Sequence, residues 1–540
     1  MKFRFILLST LLLLLACEEK EQVDLIVHNA KIYTVDSLQS QASAFVVADG
    51  RFLDVGSSDD ILERFRAKEV VDAGGKTIVP GFIDAHCHFY NLGLNQLRVD
   101  LNVTQSYEEV LQRVVAFQEE KNVPFILGRG WDQNDWALKA FPHKERLDEL
   151  FPETPVILER VDGHAYLVNQ RALDMAGINS ATQVEGGAII QENGELTGVL
   201  IDNPMAMIDA IIPDYDKSTK IDALKAAQQI CFDYGLTTVN DAGLNRETIS
   251  LIDSLQKSGD LDMRVYAMIS NNAEDVDYYL EQGVLKTEKL HVGSVKVYAD
   301  GALGSRGAAM KAPYSDHEGH FGAMVTPVAD IEALASKLAA SRFQMNTHAI
   351  GDSANVAVLR AYDKVLNDGD DRRWKIEHAQ IVDLEDMHYF SRNIIPSVQP
   401  THATSDMYWA EDRVGAERMK GAYANRKLLE ESGMVALGTD FPVEQVSPFL
   451  TFYAAVARKD LQGYPEGGFQ PEDALTREET LKGMTLWAAW SNFEETEKGS
   501  IEPGKFADFI VLDKNIMEVP LEEVPGIQVL QTWLGGKKVK

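Results

Sequence analysis

Five short apolar runs in this 540-residue chain end in, or run straight into, side chains that bind metals. The first is Pro80-Gly81-Phe82-Ile83-Asp84-Ala85-His86-Cys87-His88. The others are Val295-Lys296-Val297, Thr347-His348-Ala349, Glu377-His378-Ala379 and Gly438-Thr439-Asp440. Short apolar runs of this kind read as buried strands. Barrels of parallel strands carry their chemistry at the strand C-terminal ends. His86, His88, Lys296, His348, His378 and Asp440 therefore make one candidate metal site.

The rest of the chain fits such a barrel. Apolar runs alternate with amphipathic helical stretches, the pattern of a parallel α/β sheet. The expected barrel strands are 78–85, 236–240, 263–269, 292–299, 343–348, 374–378, 394–399 and 435–439, with helices at 218–234, 328–341 and 354–367 among those between them. Runs 123–128 and 155–160 also look like strands, but they would overfill an eight-stranded barrel. Residues 90–215 are therefore assigned to an insertion after the first strand, where a long excursion shapes or covers a site. Gly186-Gly187, Asn193-Gly194 and Thr197-Gly198 within it read as hairpin turns.

Residues 17–78 alternate and turn, with strands expected at Asp24-Leu25-Ile26-Val27 and Ala44-Phe45-Val46-Val47 and a hairpin signal at Asp49-Gly50. Residues 499–540 behave alike, and the two ends are expected to meet in a small β-sandwich. The expected fold is α/β: a TIM-like (β/α)8 barrel over 79–89 and 216–498, with the sandwich and the insertion attached.

The net charge is 52 − 83 = −31, which argues against a nucleic-acid partner, whose phosphates it would repel. Lys2 and Arg4 precede an apolar stretch, Ile6 to Ala16, too short to span a bilayer comfortably. Leu14-Leu15-Ala16-Cys17, followed by polar Glu18-Glu19-Lys20-Glu21, resembles the lipobox of a bacterial lipoprotein signal. That resemblance implies a leader of residues 1–16, a lipidated Cys17 and a membrane-anchored protein of the cell envelope. An ordinary cleaved signal and an uncleaved anchor are the competing readings. Cys87 and Cys231 are the remaining cysteines, too few and too distant to imply a disulfide scaffold. Cys87 alternates with His86 and His88, so its side chain is expected to point away from the metals.

A His-x-His on a strand puts both rings on one face, where they can share one divalent ion. Taken alone, either ring fits a packed core equally well. Lys296 is the odd member, because an ammonium beside divalent cations is repelled by several kcal/mol at moderate dielectric. It suits the site only if deprotonated and carboxylated by CO2, giving an anionic carbamate. Otherwise it pairs with Asp300 or caps a strand end.

Taken together, the motifs are specific. The first run resembles the first-strand signature of the amidohydrolase superfamily. Asp72-Ala73-Gly74-Gly75-Lys76 and Gly499-Ser500-Ile501-Glu502-Pro503-Gly504-Lys505-Phe506-Ala507-Asp508 match the borders of that superfamily's sandwich. Lys296-Val297-Tyr298-Ala299-Asp300-Gly301, Thr347-His348-Ala349-Ile350-Gly351-Asp352 and Ile376-Glu377-His378-Ala379-Gln380 resemble amidohydrolase family 3. The resemblance spans essentially the whole chain after the leader. It implies a binuclear hydrolase in which His86, His88 and Asp440 hold one metal, His348 and His378 the other, and carboxylated Lys296 bridges them. Zinc is the default for such ligands, with manganese, iron or cobalt as substitutes. Asp440 is then the acid–base residue, and the expected reaction is hydrolysis of a non-peptide amide, N-acyl, N-formyl or cyclic amide bond. An esterase or lactonase, a deaminase, and a lipid-anchored binding protein without activity are the competing readings.

Four further residues are candidates for substrate contact. His164, in Asp162-Gly163-His164, matches a family motif and would touch substrate or an oxyanion; a loop hydrogen bond is its other reading. Arg306 would grip a carboxylate or pair with a surface acid. His402 follows the seventh strand and would reach the mouth, and Trp131 would line a pocket or fill a core. His143, His317, His320 and His388 show no strand-end placement and read as surface residues.

Overall fold

The protein is described by a computed structural model covering residues 20–540 except 39 and 368. The leader and Cys17 lie outside the described residues. Among those residues no helix is long and apolar enough to cross a membrane.

Eight parallel strands pair in chain order: β1 (Phe82–Cys87), β2 (Leu236–Leu244), β3 (Arg264–Ser270), β4 (Leu290–Tyr298), β5 (Gln344–Ala349), β6 (Lys375–His378), β7 (Ile395–Val398) and β8 (Ala436–Leu437). The chain just beyond β8 completes the circle. Asp440 N–H donates to His86 O and His88 N–H donates to Phe441 O, both at 2.8 Å. Helices such as Lys217–Asp233, Arg246–Ser258, Val328–Ala339 and Asp352–Val365 lie between the strands in sequence. Strand β4 is buried along nearly its whole length, as expected of a strand in a parallel sheet covered on both faces.

The first expected strand splits in two. Thr77–Pro80 joins another sheet, pairing with Lys31–Tyr33 and with Phe509–Leu512. The barrel strand begins only at Phe82. Gly81 makes the crossing: its N–H donates to Asp508 O at 3.0 Å. A Cβ at Gly81 would lie 2.3 Å from Thr237 Oγ1, so only glycine fits between the two sheets.

Residues 99–202 contain a separate six-stranded mixed sheet. Its spatial order is Gly187–Glu192, Glu195–Asp202, Ala165–Val168, Val156–Arg160, Ile126–Trp131, Val99–Asp100. The runs that would have overfilled the barrel are its parallel strands Ile126–Trp131 and Val156–Arg160. Asn193 and Gly194, both with positive φ, turn the hairpin between Glu192 and Glu195. Thr197-Gly198 is not a turn; it lies inside the strand Glu195–Asp202. Gly198 is needed there because a Cβ would lie 2.4 Å from Val168 O.

Two further sheets lie outside the barrel and the insertion; the N-terminal end builds the first alone and shares the second with the C-terminal end. One is Arg51–Gly56, Ala44–Ala48, Glu21–His28 and Phe65–Asp72; the other combines Lys31–Tyr33 and Thr77–Pro80 with Phe509–Leu512 and Val529–Leu534. Leu25, Phe45, Phe52, Ile78, Phe509 and Trp533 join them in one apolar cluster.

The seam between β1 and β8 leaves no room for side chains. A Cβ on Gly438 would lie 2.5 Å from His86 N and 2.8 Å from both Asp84 Oδ1 and His86 O. We expect Gly438→Ala to destabilise the fold by about 1–3 kcal/mol, the usual cost of overpacking. Urea denaturation checks this, and an unchanged midpoint would contradict the closure described.

Candidate metal centre

The six strand-end side chains converge. Asp440 Oδ1 lies 3.3 Å from His88 Nε2 and 3.6 Å from His86 Nε2. Lys296 Nζ lies 3.1 Å from His86 Nε2. The His378 ring is centred 4.8 Å from that of His86 and 4.6 Å from that of His348. The strands explain the meeting, since β4, β5 and β6 are neighbours with Tyr298 opposite His348 and His348 opposite Glu377. Closure of the barrel then brings Asp440 to the histidines of β1.

Backbone and buried carboxylates hold this arrangement. Asp84 accepts from Thr439 N–H (3.0 Å), Thr439 Oγ1 (2.7 Å) and His86 N–H (3.1 Å), tying β1 to the end of β8. Burial raises its pKa to about 7 despite those bonds. Asp300 accepts three backbone N–H groups, from Ala309, Ile350 and Gly351, rather than Lys296. His378 and Asp440 both adopt left-handed backbone conformations, with φ of 73° and 63°, which a non-glycine residue holds only when its surroundings force it.

Each ring presents one nitrogen to the centre because its other nitrogen is tied. His86 Nδ1 donates to Glu377 Oε2 (2.7 Å), His88 Nδ1 to Ala242 O (3.1 Å) and His378 Nδ1 to Gln399 Oε1 (2.7 Å). Such partners fix a ligand's tautomer and orientation. His348 differs: its Nε2 lies 3.5 Å from Gly301 O and 3.7 Å from Asp300 Oδ1, and its Nδ1 has no hydrogen-bond partner among the described residues. Burial lowers the pKa of His86, His348 and His378, so their rings stay neutral, as metal ligands must.

The anionic partner is equally defined. Burial alone would raise the Asp440 carboxyl, but His402 and His88 beside it hold it well below the carboxylate range. His402 Nε2 lies 3.3 Å from Asp440 Oδ2, and its Nδ1 lies 3.2 Å from Glu444 Oε1. Burial opposes a charge on His402, yet those two carboxylates raise its pKa to about 10. Burial lowers the Lys296 amine to about 8.

The donors fit a metal. Asp440 Oδ1 is buried and has no hydrogen-bond partner among the described residues, an unusual state for a carboxylate oxygen unless a cation is its partner. It belongs to two groups of side chains close enough to hold ions: His86, His88 and Asp440, and His378, His402 and Asp440.

Comparison with known proteins agrees. Residues 69–540 match the family described as amidohydrolase family. The chain belongs to that family. It is 31% identical over 525 residues to the putative amidohydrolase YtcJ of Bacillus subtilis, covering 95% of this chain and 98% of that one. It is 26% identical over 541 residues to the N-substituted formamide deformylase of Arthrobacter pascens, covering 95% and 97%. A solved metal-dependent hydrolase from Pyrococcus furiosus is 27% identical and superposes with a TM-score of 0.73, over 92% of this chain and all of that one. Family and relatives support a hydrolase.

The amidohydrolase centre opens into a cavity of about 1090 Å³ between barrel and insertion. His164 and His402 line it. Trp131 does not: it is fully buried in the insertion's core, where its Nε1 donates to Leu158 O at 2.8 Å. Arg306 is also absent from the lining, because Asp316 engages its guanidinium at 2.8 and 3.2 Å. Cys87 is buried in the main core with its thiol 3.4 Å from Asn240 O. His143, His317, His320 and His388 lie outside the cavity lining.

Sequence reasoning assigned no role to Glu377, although it precedes His378 directly. Its carboxylate is fully buried; burial works against its charge, but His86 and nearby Lys375 and Lys296 keep it ionised. We expect Glu377→Gln to weaken metal affinity about 10–100-fold, the usual effect of losing a ligand's supporting carboxylate. Competition with a chelator measures this, and unaltered affinity would show that Glu377 does not support His86.

Proposed function

We propose that this amidohydrolase cleaves a non-peptide carbon–nitrogen bond, of the N-formyl, N-acyl or cyclic amide kind, at a centre for two divalent cations, zinc first. The observation that carries this reading is Asp440, one buried carboxylate with a ligand atom within 4.8 Å of ring nitrogens of His86, His88 and His378, with the Lys296 amine beside His86. On this reading His86, His88 and Asp440 hold one cation and His348 and His378 the other. His402 is left out of the ligand set because Asp440 and Glu444 raise its pKa to about 10 and keep the ring protonated, whereas a ligating imidazole is neutral.

Lys296 completes the set as a carbamate. Its neutral amine is what attacks CO2, and burial makes that form accessible near neutral pH. The added carboxylate supplies the anionic oxygens that two cations need for charge balance. Bound there, two divalent cations would lower the pKa of a shared water from about 15.7 toward 7 and polarise the scissile carbonyl.

The chain's own groups handle the proton. Asp440 takes it from the attacking water at a carboxylate oxygen and returns it to the leaving nitrogen. His402 Nε2 steadies the carboxylate throughout. The insertion covers the centre and shields it from bulk solvent. The Arthrobacter relative, a formamide deformylase by name, supports the preference for a carbon–nitrogen bond.

The experiment is a screen of metal-loaded protein lacking the first 17 residues against N-formyl amines, N-acyl amino acids, cyclic imides and lactones. Turnover of amide-type substrates is expected, and turnover of lactones alone would overturn the bond assignment. Lys296→Ala is expected to lose bound metal and at least about a thousandfold in kcat, a magnitude typical of losing a transition-state stabilising group. A variant that keeps both metals and full rate would remove the bridging role.

A further inference from the structure

The insertion delivers one ionisable ring to the metal centre, and a buried carboxylate holds it there. His164 Nδ1 lies 2.7 Å from Asp202 Oδ1, and the Asp202 side chain is 1% exposed. The two residues pair across the insertion sheet, where Asp202 N–H donates to His164 O at 3.1 Å. The His164 ring is centred 5.0 Å from that of His348 and 6.4 Å from that of Tyr298. With Nδ1 engaged, Nε2 is the ring nitrogen left for the cavity that His164 lines.

Asp202 has its Oδ2 buried without a hydrogen-bond partner among the described residues, a costly state for a carboxylate. Its backbone is left-handed, with φ of 58°. The carboxylate rests on the loop that follows β4, against Gly301 and Gly307. A Cβ on either glycine would lie 2.3 Å from Asp202 Oδ2, so both must lack a side chain. Asp300 clamps that loop through the N–H groups of Ala309, Ile350 and Gly351. The carboxylate is thus seated on the same strand–loop unit that carries Lys296.

We infer that Asp202 is a positioning residue that aims His164 Nε2 at the reacting carbonyl, so the insertion and the barrel complete one site together. The inference rests on the amide-hydrolysis reading above. In it, His164 Nε2–H donates a hydrogen bond to the substrate's carbonyl oxygen as negative charge develops there. Both ring nitrogens then carry a proton: Asp202 accepts from Nδ1–H, balances the ring's charge and fixes its direction.

The test compares wild type with His164→Ala, Asp202→Asn, Gly307→Ala and the double variant His164→Ala/Asp202→Asn, each metal-loaded, on the best substrate from the screen. Asp202→Asn and Gly307→Ala are each expected to lower kcat about 10–100-fold, with KM within threefold and metal content unchanged. The double variant is expected to match His164→Ala, because the carboxylate acts only through the ring. Additive losses, or a loss confined to metal content or melting temperature, would overturn the inference. A second readout needs no substrate: mass spectrometry of His164 carbethoxylation by diethyl pyrocarbonate at pH 6.5. Removing the carboxylate takes away the anionic acceptor that holds Nδ1 and releases the ring from its fixed direction, so Asp202→Asn is expected to react at least threefold faster. An unchanged rate would overturn the inference. A wild type that cleaves no carbon–nitrogen bond yet shows this rate difference would retire the reaction class and leave the dyad standing.

Discussion

Closure of the barrel between β1 and the chain beyond β8 is the constraint on which the site depends. Asp440 is 352 or more residues from His86 and His88 in the chain, yet its N–H bonds His86 O directly. Two backbone bonds and the Asp84 carboxylate hold this seam. Gly438 allows the approach because any side chain would strike His86. Without the seam, the histidines of β1 would face the ligands of β4, β5 and β6 with no shared carboxylate. The candidate metal site is therefore a product of fold closure and not only of local motifs.

Burial then sets the charge states. Three of the strand-end histidines, His86, His348 and His378, lose basicity because they are enclosed, and Lys296 does so for the same reason. Glu377 and Asp440 keep their charge only because cationic or protic partners face them. The result is a nitrogen-rich cluster around two buried carboxylates deep in a barrel. Desolvated charge of this kind is costly unless paired, and divalent cations are the natural counter-charge. The insertion adds the cover and one more ring, seated through Asp202 on the loop after the lysine strand.

Much of this was legible in the sequence. The ligand runs mark strand ends because a buried parallel strand is a short apolar run, and its C-terminal end is where polarity returns. The overfilled strand count isolated the insertion, and its runs 123–128 and 155–160 do pair outside the barrel. Other features were not legible because distance or ambiguity hid them. Gly81 divides an apparently continuous strand between two sheets, which no local pattern reveals. Trp131 sits beside a polar turn, yet its ring fills the insertion's core. Arg306 had two readings, and Asp316, ten residues on, takes the guanidinium. Asp202 is 38 residues from His164, so only the folded hairpin brings them together.

On the proposed reading, five strand ends assemble one centre for two metals around Asp440 and Lys296. Metal analysis of the purified chain lacking its first 17 residues, reconstituted with zinc and bicarbonate and freed of loose ions, tests it most directly. Two tightly bound divalent ions per chain are expected. One ion, or none, would contradict that reading.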